Sequence, residues 1–191
     1  MTTEPIRDKK QAAALARYYQ DRGQFRNYAL IIIGMYTALR ISDILRLTWD
    51  DVYDFERKRV RSAIDITEKK TKKAKSLALN REVIAALCLM LQWVPAKPGG
   101  ALFMSRKTGR AIGRVQAYRI IRCAAEALEL PDRVSCHSLR KTFGYFAWKR
   151  GVSPAVIMEI YNHSDFAVTR RYLGVTQDDK NEVYLGLRLL S

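Results

Sequence analysis

The chain has 191 residues, 48% of them hydrophobic, and carries 34 Lys and Arg against 19 Asp and Glu, a formal charge of +15. That length suits one ordinary core. The charge excludes the near-balance of most soluble enzymes and makes an extended polyanion the natural partner, while the longest apolar runs, such as Tyr28 to Leu39, fall short of the ~20 residues that span a bilayer.

Met1 to Gln11 is polar and lacks the apolar stretch of a secretory signal, so a cytoplasmic protein is expected. Residues 1–6 read as a flexible lead-in. Arg7 to Arg22 follows as a helix with Ala13, Leu15, Ala16 and Tyr19 inward, stopped at Gly23. Phe25 to Leu39 is apolar nearly all round and predicts a buried central helix, with Arg40 at its C-terminal end and Ser42 capping a short helix through Leu47.

Between Val60 and Leu79 the period changes. Val60, Ala63, Ile64 and Ile66, then Leu77 and Leu79, flank the run Glu68-Lys69-Lys70-Thr71-Lys72-Lys73, which predicts a β-hairpin with a charged turn. Asn80 caps the next helix, which runs to about Trp93 before Pro95 and Pro98-Gly99-Gly100.

Gly113 to Leu128 predicts a helix with Arg114, Arg119 and Arg122 on its polar surface. Ser138 to Arg150 predicts another, closed by Gly151, and Ser153-Pro154 opens one that reaches about Tyr161. After a break at Asn162, Asp165 to Tyr172 is a short helix, and Thr176 to Leu190 a terminal amphipathic one. The expected fold is mainly α with a small antiparallel β-sheet, an α+β single domain over 1–191.

Both histidines of the chain fall in one series: His137-Ser138-Leu139-Arg140, then Tyr161-Asn162-His163-Ser164-Asp165, then Tyr172. Three residues apart, His137 and Arg140 overhang one side of a helix that starts at or just before Ser138. Free N–H groups of that first turn would suit an anion. Attack at a phosphodiester places extra charge on the non-bridging oxygens, and planar guanidiniums bind two such oxygens at once. Arg40 and Arg140 answer that need without a metal, so no metal and no cofactor are expected.

Tyr172 is the candidate nucleophile; a phenol, with a free pKa of about 10, needs neighbouring positive charge or a base. A covalent phosphotyrosine conserves the bond energy, in keeping with the lack of a Gly-x-x-x-x-Gly-Lys loop for ATP. Nine residues separate His163 from Tyr172, half a turn out of phase on one helix, so a break is required, and Asn162 with Ser164-Asp165 supplies it. Lys70 is chosen as proton donor to the leaving oxygen, although a charge run such as Lys69 to Lys75 is also what a solvated face carries. Cys88, Cys123 and Cys136 lack Cys-x-x-Cys spacing and read as reduced, packed thiols.

With Arg40 in Thr37-Ala38-Leu39-Arg40-Ile41-Ser42-Asp43-Ile44, this series resembles the tyrosine recombinases of the phage-integrase family from roughly Arg17 to Gly174. The resemblance makes Arg40 and Arg140 the two catalytic arginines, Asp43 the acid that orients Arg40, and Lys70 the hairpin lysine, with Lys69 and Lys72 as register alternatives. It makes His137 a general base or orienting group, His163 a hydrogen-bond donor to a phosphate oxygen, and Tyr172 the residue that forms a 3′-phosphotyrosyl bond. It implies double-stranded DNA as partner, with Lys69, Lys72, Lys73, Arg114, Arg119 and Lys141 on the DNA face, and a homo-oligomer, tetrameric in the family. Asn162 and Ala38 stand where the family commonly has Gly. Little precedes the first helix where typical members carry a separate N-terminal DNA-clamping domain, which fits either an excised fragment or the short single-domain members such as the fimbrial-switch invertases.

The apolar stripe Val183, Leu185, Leu187, Leu189 and Leu190 fits packing on a neighbouring protomer or on its own core equally well. A type IB topoisomerase and a DNA-binding regulator with an unused catalytic set are the competing functions.

Overall fold

The structure is a computed structural model and describes residues 3–70, 72–131, 133–175 and 177–186. Helix α1 (Lys9–Gln20) starts on Asp8, whose carboxylate accepts the Lys10 and Gln11 N–H groups, and buries Ala12, Leu15, Ala16 and Tyr19. Gly23 follows in the left-handed conformation (φ +65°), as the stop requires. Helix α2 (Phe25–Tyr36) is the apolar rod at the centre. It ends three residues sooner than its apolar pattern: the Thr37 hydroxyl turns back onto the Ile33 carbonyl and Ala38 adopts φ +56°. A left-handed alanine costs roughly 1–2 kcal/mol. In return the chain swings out so that Arg40, not Ser42, caps α3 (Ile41–Ile44).

Helix α4 (Trp49–Val52) opens with a capping box between Thr48 and Asp51. A small pair that the periodicity did not announce follows, β1 (Tyr53–Asp54) against β2 (Arg59–Val60), turned by the Asp54 carboxylate on the Glu56 and Arg57 N–H groups. Strands β3 (Ala63–Thr67) and β4 (Ala74–Ala78) pair antiparallel with Ile64 opposite Leu77. The expected sheet is thus two separate two-stranded ones. Asn80 caps α5 (Arg81–Leu91) through the Val83 N–H.

Helix α6 (Arg114–Ala127) and helix α7 (Cys136–Lys149) complete the core wall. Leu139 of α7 lies against Gly34 of α2, where a Cβ would come within 2.6 Å of the leucine Cδ1. Helices α8 (Pro154–Tyr161) and α9 (Phe166–Leu173) pack on α7 around a smaller apolar cluster of Ala38, Ile157, Tyr161 and Leu173. Between them Asn162 is left-handed (φ 52°, ψ 43°) and Asp165 caps α9 on the Ala167 N–H, which is the expected break.

Two ends of the chain differ from expectation. Residues 3–6, expected to be flexible, lie along α7: Ile6 is buried, its N–H donates to Thr142 Oγ1, and Glu4 pairs with Arg133 at 2.7 Å. Helix α10 (Gln177–Gly186) is held to α7 by Lys149, whose Nζ lies 2.7 Å from Asp179 and 3.6 Å from Glu182. Tyr184 and Leu185 of α10 face solvent. Leu187, Leu189 and Leu190, and the side chain of Val183, lie outside the described residues.

Candidate active site

Helix α7 starts at Cys136, two residues before the predicted start, because Ser135 and Ser138 cap it reciprocally. His137 and Arg140 therefore belong to its first turns, and the cap engages the Ser135 and Ser138 N–H groups of that turn. Helix α9 delivers Tyr172 to the same place: His137 Nε2 and the Tyr172 hydroxyl are hydrogen-bonded. The His163 ring meets Tyr172 edge-on with centroids 4.8 Å apart, and Tyr161 stacks on His163 at 5.0 Å. Thr169, fully buried, holds His163 through Nδ1 at 3.0 Å.

Arg140 is the largest fully buried side chain, 1% exposed. Its Nη1 donates to the Ala38 carbonyl at 2.5 Å and its Nη2 to the Tyr161 carbonyl at 2.9 Å, while its Cζ lies 4.6 Å from the Tyr161 ring centroid. The Tyr161 hydroxyl returns the contact, donating to the Arg140 carbonyl at 2.6 Å. Gly144 makes room for it, since a Cβ there would collide with that hydroxyl. Arg140 is thus clamped to two carbonyls, with Nε buried and unpartnered.

Arg40 comes from the other side, at 18% side-chain exposure, with Nη1 2.9 Å from Glu68 Oε2. This is a close ion pair rather than an aligned hydrogen bond, since that nitrogen has no acceptor in line. Asp43, the acid expected to orient Arg40, instead accepts the Lys69 N–H at 2.9 Å and pins the hairpin. The physical reason is reach: α3 puts Asp43 under the turn, whereas Glu68, the residue after β3, meets the guanidinium.

Desolvation dominates the titration of this cluster. His137 and His163 are each pushed down to about 4, first by desolvation and then by nearby cations: Arg140, Lys141 and Arg40 for His137, Arg140 and Arg40 for His163. Burial, then the charge of Arg40, lowers Arg140. Both imidazoles are therefore neutral at neutral pH. With its proton on Nδ1, His137 offers Nε2 as acceptor to the Tyr172 O–H, the arrangement of a base beside a nucleophile.

Residues 7–179 match the profile described as the phage integrase family. The chain belongs to that family. It is 36% identical over 185 residues to the probable integrase/recombinase YoeC of Bacillus subtilis (strain 168), covering 95% of this chain and 94% of the relative. It is 30% identical over 151 residues to the type 1 fimbriae regulatory protein FimE of Escherichia coli (strain K12), covering 77% and 73%. In fold it is similar to the crystal structure of XerA recombinase (TM-score 0.77, 21% identity) and to the Tn1549 transposon integrase in complex with transposon right end DNA (TM-score 0.74, 21% identity). Those matches cover 100% and 97% of this chain and 66% of each solved chain. The chain is a tyrosine recombinase catalytic fold, mainly α with small antiparallel sheets.

Within this integrase, Arg40, His137, Arg140, His163 and Tyr172 gather as expected, and Lys69, Lys70, Lys72 and Lys73 stand exposed on the hairpin turn, as do Arg114 and Arg119 on α6. Lys141 departs from its predicted place on the DNA face. It is 5% exposed, donates to the Thr3 carbonyl and lies 5.5 Å from the Tyr172 ring centroid. Residues 3–6 lie where it would otherwise emerge.

Four residues of the site escaped the sequence reading. Tyr161 and Thr169 looked like ordinary helix residues. Glu68, wholly buried, was a lone acid beside a lysine run, which was the available signal. Lys75 belongs to a run that reads as a solvated face, yet its Nζ donates to the Ile160 carbonyl at 2.6 Å and burial lowers its pKa. Among the described residues no cluster of His, Cys, Asp and Glu could hold a metal ion, and no helix is long and apolar enough to cross a membrane.

With two histidines in the chain, proton NMR reads the site directly. Both C2–H signals should titrate near pH 4 in the folded protein, against ~6.5 when unfolded. Because the folded values are depressed, the imidazoles' contribution to stability is complete above ~6.5 and is lost as pH falls toward about 4. The urea midpoint should drop through that window. A folded-state midpoint near 6.5 for either ring would show that desolvation and the neighbouring guanidiniums do not depress it.

Proposed function

We propose that the recombinase cuts and rejoins duplex DNA with Tyr172 as nucleophile, acting as a homo-oligomer on its site. The observation that carries this reading is the Tyr172 hydroxyl bonded to His137 within a cluster of two guanidiniums and His163. In the forward step Tyr172 Oη bonds to phosphorus and the bond to the 5′ oxygen breaks. His137 takes the phenolic proton, and a lysine returns one to the leaving 5′-hydroxyl. A 5′-hydroxyl of a second strand reverses the step. One phosphoester replaces another at each stage, so no ATP is consumed.

Arg40 is the more open of the two guanidiniums and would grip a non-bridging oxygen. Arg140 contributes its fixed charge and the buried Nε–H, a donor with nothing to bond to in the protein alone. The charge of +15 and the exposed lysines of the β3–β4 turn, with Arg114 and Arg119, would engage the phosphate backbone.

Lys70 at the turn remains the assigned proton donor. A second assignment, Lys75, is favoured by its half-buried ammonium and lowered pKa. To test the reading, sparsely nicked DNA sheared from the cells that carry the gene is incubated with the protein without added metal or ATP. Covalent adducts that survive detergent are isolated and sequenced. We expect one recurrent sequence. Relaxation of any supercoiled plasmid without site preference would point to topoisomerase chemistry, and salt-sensitive binding with no adduct to a regulator. On the recovered site, a 5′-bridging sulfur needs no proton on leaving, so it should restore cleavage to whichever variant, Lys70→Ala or Lys75→Ala, has lost the donor.

A further inference from the structure

The site holds one group that a phosphate-cleaving centre has no direct use for: a carboxylate buried among its cations. Glu68, the residue after β3, is 0% exposed, and burying an ionised group is unfavourable unless it is paired. Arg40 and Asn162 both meet it. Arg40 Nη1 lies 2.9 Å from Oε2, and the side-chain amide of Asn162 donates to the same oxygen at 3.2 Å. Those partners come from two separate elements, Arg40 from the α2–α3 turn and Asn162 from the break between α8 and α9. Glu68 itself belongs to the hairpin that carries Lys69 to Lys75.

We propose that Glu68 is a positioning residue for strand cleavage: it fixes the Arg40 guanidinium and, through Asn162, locks the β3–β4 turn to the break that carries His163. The inference rests on the cleavage reading above. Its physical content is that three pieces of backbone, each contributing one group to the site, share a single oxygen as their common point. A left-handed Asn162 serves this role where a glycine would supply only the backbone turn, because the amide is what reaches Glu68. An arginine on a flexible stem loses its preorganisation when its anchor goes, and the donor then reaches the developing charge less often. The carboxylate has a cost, since it opposes the incoming phosphate, so removing it should not weaken DNA binding.

The variants are Glu68→Gln, which removes the charge at constant shape, Asn162→Gly, which keeps the turn and removes the amide, and the double variant. Each is measured as the full chain for thermal midpoint, affinity for the recovered nicked duplex and single-turnover adduct formation. We expect Glu68→Gln to slow adduct formation by about tenfold or more, the scale of lost outer-shell support, with duplex affinity unchanged or higher. Asn162→Gly should slow it by less, and the double variant by less than the two single losses combined, because both act through one oxygen. Parallel losses in affinity and rate would mean that Glu68 only supports the fold. Additive losses would break the shared-oxygen account, and faster adduct formation by Glu68→Gln would make the carboxylate a competitor for Arg40. Each of these overturns the proposal while the wild-type adduct stands; if the wild type forms no adduct, the cleavage reading fails first and takes this inference with it.

Discussion

Tyr172→Phe should form no covalent adduct on a nicked duplex that the wild type captures, while binding that duplex with an affinity within about twofold. The hydroxyl is the only atom lost, and its partner is His137 Nε2. The ring keeps its contacts with His163 and Tyr161. An exchanged hydrogen bond of this kind is worth about 0.5–1.5 kcal/mol of stability, so the variant should remain folded, and its loss of function should appear in chemistry alone. An adduct that survives the substitution would place the nucleophile elsewhere. DNA affinity of both proteins should fall steeply with salt, because counterion release from the phosphate backbone dominates such interfaces.

Arg140→Ala is expected to be the most damaging single change, in two measurable ways. First, it strands the carbonyls of Ala38 and Tyr161, each costing about 1–3 kcal/mol when left buried without a donor, and empties the space against the Tyr161 ring. A loss of roughly 3–5 kcal/mol in urea unfolding follows, a large part of a domain's usual 5–15. Second, on the fraction still folded, adduct formation should drop about 100- to 1000-fold, the scale of a missing charge-stabilising donor. Arg140→Lys should recover little of either, since one ammonium cannot span two carbonyls in the plane of a guanidinium. A fully stable Arg140→Ala protein would show that the clamp between α7, the Ala38 turn and α8 does not hold the site together.

Arg140 carries chemistry that its local sequence announces and a buried setting that it does not. His137, Arg140, His163 and Tyr172 were legible because rare imidazoles spaced around arginines and a tyrosine, with a turn former at Asn162, form a local pattern. The helices of the fold were legible too, from apolar periodicity and from caps such as Asn80 and Asp165, which act within three residues of themselves. Lys141 and Lys75 were misjudged for a shared reason. Whether a lysine faces solvent depends on what lies above it, and here that is residues 3–6 in one case and the end of α8 in the other.

By itself, then, the chain's sequence determined the mainly α architecture, the basic character and the set of side chains that could meet a phosphodiester, since propensity, charge and motif spacing are short-range properties. Only the tertiary structure decided which acid holds Arg40, that Arg140 is a buried clamp, and that desolvation and the neighbouring guanidiniums push both imidazoles down to about 4. Those outcomes depend on desolvation and on partners up to 102 residues apart, as Arg140 and Ala38 are, and burial is a property of the packed whole that no local run of residues encodes.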